Sequence, residues 1–184
     1  MIIRRLKKPN TTTRFIIKAV VLMISWFVVY EGFLRTLQQP DTFLTQITAG
    51  AGALSLNLLG YNIEAAKVAE GSELFLDNEP LLLIASNCNG LIVFALFAAF
   101  ILIFPKNWSK KLLFIPAGVM LLFLLNVLRV TSLSLIQIYH AEWLEFNHKY
   151  SFTILMYAAV FGLWMLWVKK FATPSSSSKK LAVA

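Results

Sequence analysis

Cys88 is the only cysteine in the chain, and it stands in the run Ser86-Asn87-Cys88-Asn89-Gly90 at the doorstep of an apolar segment. A thiol at the start of a helix is a candidate nucleophile, because the helix N-terminus carries about half a positive charge and stabilises a thiolate. Asn87 or Asn89 can cap that first turn. Gly90 removes a side chain beside the sulfur and leaves room for a substrate backbone. Arg129 lies inside LLFLLNVLRVTSLSLI, where a charge is expensive and by default marks function. Asn126 and Ser132 share its helical face at i−3 and i+3. A guanidinium held there could stabilise the oxyanion of a tetrahedral intermediate, or hold a substrate carbonyl or carboxylate. His148, in EFNHKYSF, opens the last apolar run with Asn147 as its cap. A helix N-terminus disfavours imidazolium, which leaves a neutral ring able to act as base or acid near pH 7. The competing plain readings are an inert buried thiol, an arginine that snorkels to headgroups and an interfacial histidine.

Two other chemistries compete. HAEWLEFNH places His140, Glu142, Glu145 and His148 close together, a set that suits zinc. Arg129 could instead pair with an intramembrane acid of a partner, which would make the chain a non-enzymatic assembly subunit. The acyl-transfer reading calls for no metal and no cofactor.

The elements that must position these residues are membrane helices. Hydrophobic residues make up 58% of the 184 and charged residues only 14%, far from the balance of a soluble domain. A single cysteine excludes an internal disulfide, a dithiol redox pair and a cysteine-rich zinc site. The net charge of +8 does not point to nucleic acid, because the basic residues cluster at the ends of apolar runs. The fold class expected is an all-α membrane protein with about four spans, near 15–34, 88–104, 112–138 and 150–168. The second run is short, so its helix should begin near Cys88.

Arg4, Arg5, Lys7, Lys8 and Arg14 precede the first run, Lys106, Lys110 and Lys111 separate the second and third, and Lys169, Lys170, Lys179 and Lys180 follow the fourth. These clusters share one side, which should be cytoplasmic. The expected organisation is a basic cytoplasmic N-terminus at 1–14, one integral membrane domain at 15–170 and a disordered cytoplasmic tail at 171–184. The first run reads as an uncleaved anchor, because no small-residue cleavage site follows it promptly. Within the extracytoplasmic segment 35–87, residues 43–59 should form an amphipathic helix lying on the membrane surface. SELFLDNEPLLLIAS reads as two short strands around a turn at Asp77–Asn78–Glu79–Pro80, delivering the chain to Cys88. Cys88, the outer end of the third span with Arg129, and His148 then converge on one rim.

Asn-Cys-Asn-Gly at one span, Asn126-Val-Leu-Arg129 in the next and His148 opening the last resemble the exosortase/archaeosortase family. The resemblance covers about 43–168, in a short, four-span, Bacteroidetes-like form. It departs from many members in having Asn89 after the cysteine and fewer spans. It implies a multispanning transpeptidase of the bacterial inner membrane, with Cys88, Arg129 and His148 as a triad facing the periplasm or outer side. Its partners would be exported proteins that carry a C-terminal motif, a membrane span and a basic tail.

Overall fold

The computed structural model describes residues 39–85, 88–104 and 108–172, with isolated positions between 17 and 32. The expected first span, the basic N-terminus, Asn87 and the tail beyond 172 lie outside the described residues, isolated positions of that span apart. The described chain runs α1 (Gln39–Leu58), β1 (Ile63–Val68), β2 (Gly71–Leu76), β3 (Glu79–Ala85), α2 (Leu91–Ile103), α3 (Trp108–Tyr139), helical turns over 141–151, and α4 (Phe152–Trp167). The helical run containing α4 extends over Ala141–Phe171. Two helices, Trp108–Tyr139 and Ala141–Phe171, are long and apolar enough to cross a membrane, and Leu91–Ile103 is a shorter apolar helix.

The second expected span needs correcting. Its helix begins at Leu91, not near Cys88, and its 13 residues rise only about 20 Å. Gly90 stops the helix there. Its φ of +87° is left-handed, and a Cβ would come within 2.8 Å of the Phe94 ring. Cys88 therefore sits in the turn before the helix. The third helix is longer than expected, and its 32 residues rise about 48 Å against a hydrocarbon core of about 30 Å.

That length is shared between two cores. Near its start, α3 packs against α2 and α4. Gly118 lies under the Phe97 ring, where a Cβ would clash, and Phe114 meets Trp167 and Phe171. Phe97, Ile101, Leu122 and Val160 are buried in this apolar core. Lys111, almost fully buried, caps the end of α2 by donating from Nζ to the Leu102 and Phe104 carbonyls at 3.1 and 2.5 Å. Lys110 lies 5.1 Å from the Phe171 ring centroid, so the lysines at the start of α3 and the end of α4 share one end of the bundle.

Beyond Asn126, α3 packs against α1 and the sheet. Ala49, Leu56, Leu74, Ile84 and Val130 form this second core. Thr131 and Ser55 hydroxyls hydrogen-bond, and Tyr61 and Tyr139 hydroxyls meet at 2.6 Å. The helix expected over 43–59 is present as α1, but it runs alongside the second half of α3 instead of lying alone on a surface. Its small residues explain this: Gly52 sits against Val130, and a Cβ there would fall 2.8 Å from Cγ1.

The expected hairpin is β2–β3, closed by Asp77 and Asn78 with φ of 52° and 70°, the positive pair that a two-residue hairpin turn requires. The sequence reading missed β1, which pairs antiparallel with β2 to give the order β1-β2-β3.

Candidate active site

Cys88 lies where the two cores meet. β3 descends along α3 and ends at Ala85, and the turn at 88–90 leads into α2. Two buried asparagines hold that turn. Asn126, fully buried on α3, donates from Nδ2 to the Cys88 carbonyl at 3.2 Å. Asn89, also buried, accepts from the Leu91 N–H at 2.8 Å through Oδ1. Its Nδ2 donates to the Asp41 carbonyl and carboxylate and to Thr45 Oγ1, at 3.2, 3.0 and 3.2 Å. The N-cap of α2 is Gly90, not Asn89; Asn89 stands one residue earlier, accepts only the first N–H of the helix, and ties the turn to the start of α1 through the same amide. Gly90 serves the left-handed backbone and the Phe94 ring rather than visibly clearing a path to the sulfur.

The half-buried Cys88 places Sγ 3.4 Å from His148 Nε2. His148 is carried by the helical turns that precede α4. Asn147 does not cap an open helix end there, since its Nδ2 donates back to the Trp143 carbonyl at 3.0 Å. The reason for a neutral ring accordingly changes. Burial first, and the positive charge of Arg129 second, hold the His148 imidazole below its ordinary value. A neutral imidazole at this distance can accept a thiol proton.

Arg129 lies half-buried on α3, one turn beyond Asn126. Its Nε is buried and has no hydrogen-bond partner among the described residues. Asn126 Oδ1 is likewise buried without a partner. An unpartnered donor and an unpartnered acceptor thus stand one turn apart on the helix that holds the thiol's backbone. Ser132 is half-buried one further turn along and makes no hydrogen bond among the described residues. The hydroxyls of α3 that do bond there are those of Thr131 and Ser134.

The zinc-like set does not assemble. His148 turns to Cys88, whereas His140 Nδ1 lies 3.6 Å from Glu142 on the exposed loop. Among the described residues no three His, Cys, Asp or Glu side chains converge as metal ligands. Asp41 and Thr45 were missed in the sequence reading. Asp41 is the one carboxylate in that helix, but Thr45 is one of several hydroxyls and amides there and nothing in the sequence singles it out.

Residues 8–168 match the family model described as transmembrane exosortase. No curated protein and no solved structure matches the chain.

Proposed function

The chain belongs to the transmembrane exosortase family, and from that premise we propose that it is a cysteine protease/transpeptidase acting on C-terminal sorting signals of exported proteins. The observation that carries this reading is the 3.4 Å contact between Cys88 Sγ and His148 Nε2 at the end of the helices opposite the lysines.

His148 Nε2 takes the thiol proton as the sulfur attacks a backbone carbonyl carbon of the substrate. The oxyanion receives the hydrogen bond of Arg129 Nε–H, a donor with no partner among the described residues. The C–N bond breaks, the imidazolium protonates the leaving amine, and a thioester remains on Cys88. An acceptor amine or hydroxyl, or water, then gives its proton to His148 and displaces the thiolate. For this cycle the resting neutral ring carries its proton on Nδ1 and leaves Nε2 as the acceptor.

In the four-span arrangement, α2, α3 and α4 follow a first span at 15–34, and the lysine end faces the cytoplasm of a bacterial inner membrane. The Cys88 end then faces the periplasm or outer side, and the substrate's own spanning helix packs against the apolar bundle.

The test is the Cys88→Ala variant expressed in place of the natural chain. Exported proteins with a C-terminal span and basic tail should accumulate at full length. Their continued processing at the natural rate would overturn the reading.

A further inference from the structure

The sheet has two edges, and they differ in chemistry. On β1, Glu64 and Lys67 are exposed and blunt the edge with charge. On β3, the exposed Glu79 and Pro80 stand at the hairpin end only, residues 81–85 then read Leu-Leu-Leu-Ile-Ala with no charge, and Leu83 is 41% exposed. β3 pairs only with β2, and the backbone groups along its outer side have no hydrogen-bond partner among the described residues. A strand edge left unpaired among the described residues and apolar over 81–85 is of the kind that proteins normally protect. This one also runs straight into the nucleophile: Ala85 is three residues from Cys88, at most about 10 Å of extended chain.

Resting on the proposed function, we propose that the outer edge of β3 binds the extended segment of the exported substrate that precedes its membrane span, as an added strand. Backbone hydrogen bonds supply the affinity, and the half-exposed leucines contact alternate side chains. The direction is fixed by topology. β3 descends from the hairpin turn, near Tyr61 and Tyr139, to Cys88 at the level of Asn126. A substrate whose C-terminal end continues into a membrane helix travels the same way, so it pairs parallel to β3. Its last paired residues then present a carbonyl to the sulfur.

A photo-crosslinking amino acid placed at Leu83, and separately at Ala66 on β1, in the Cys88→Ala full-length chain in its native membrane tests this. The expected result is capture from position 83 only, with crosslinked peptides lying just N-terminal to a membrane span. The captured chains should be those that go unprocessed in Cys88→Ala cells. Equal capture from both positions, or none from position 83, overturns the proposal, as does capture of a second copy of this chain. Leu83→Lys in the otherwise natural chain gives the second readout. Processing should fall at least about tenfold while alkylation of Cys88 keeps its natural rate, and unchanged processing overturns the proposal. If Cys88→Ala leaves processing intact, the catalytic reading fails. If processing needs Cys88 but ignores Leu83, only the strand addition fails.

Discussion

Sixty positions apart in sequence, Cys88 and His148 meet with Sγ and Nε2 at 3.4 Å. One is carried by the turn after β3 and the other by the turns before α4, so the pair exists only when the sheet, α3 and the apolar helices are assembled together. Replacing His148 by Ala should slow processing by about 10²–10⁴-fold, the usual worth of a positioned acid–base group. It should also slow alkylation of Cys88, since the base is gone. Timed labelling of the single thiol with a membrane-impermeant reagent measures this without background mutations, and an unchanged rate would separate the two residues functionally.

In the proposed cycle, protonation of His148 would remove the base, so activity should fall as the pH drops through its lowered value. The acid limb of the pH–rate profile should consequently lie below the ordinary histidine range near 6.5. Arg129→Gln removes one of the two causes of that lowering, so the acid limb should move to higher pH while the rate plateau falls. Arg129→Lys keeps the charge and should leave the acid limb in place. Movement of the limb to lower pH in Arg129→Gln would contradict the assignment.

In the proposed function Asn126 would be a positioning residue, because its amide donates to the Cys88 carbonyl. Asn126→Leu should cost about 1–3 kcal/mol by stranding that carbonyl. If the role is positioning, KM should hold while kcat falls, and Asn126→Gln should recover little because its amide sits one methylene farther out. A purely structural role would lower thermal stability and leave kcat per folded molecule unchanged.

Lys111 provides a control far from the thiol. Lys111→Met keeps the apolar stem and removes two charge-assisted bonds to the end of α2. Unfolding in detergent should become easier by about 2–4 kcal/mol, on the basis of roughly 1.5–3 kcal/mol for each such bond less the desolvation recovered. Thiol alkylation by folded protein should change little.

Gly90→Ala should be harmful twice over, through its left-handed φ of +87° and through the Phe94 ring 2.8 Å from the new methyl group. A loss of about 1–3 kcal/mol is expected. Gly90→Ala combined with Phe94→Leu should recover part of it, which a thermal melt of both variants would show.

The sequence was most informative where one residue type had few alternatives. A lone cysteine, a charge in an apolar run and a histidine at the head of another could be picked out singly, and the hairpin turn was visible in Asp77 and Asn78. The residues that place them were harder to see. β1 was missed because Glu64, Ala65, Ala66 and Lys67 are all exposed, so its strand has no apolar alternation to reveal it. α1 read as a surface helix because its mixture of small residues and hydroxyls carries no strong stripe. Its buried side became apparent only with α3 beside it, Gly52 on Val130 and Ser55 on Thr131. The bond of Asn89 to the Leu91 N–H is local, whereas its bonds to Asp41 and Thr45 span more than forty residues of chain. The start of α2 is set by the left-handed Gly90, not by the minimum length of a membrane span.

The brevity of α2 gives the molecule a length standard. Between the lysine cap at Phe104 and the first residue after the thiol's turn stand 13 helical residues, about 20 Å, while α3 continues far past that level. The sulfur is thus held at a fixed height above the lysine end by a rigid rod. Under the proposed function, a peptide bond would be selected by how far it stands from the far end of its own spanning helix as well as by the residues around it. A substrate lengthened by one helical turn below its cleavage point would be cut one turn out of place or not at all. On that reading the chain would be a gauge as well as a blade.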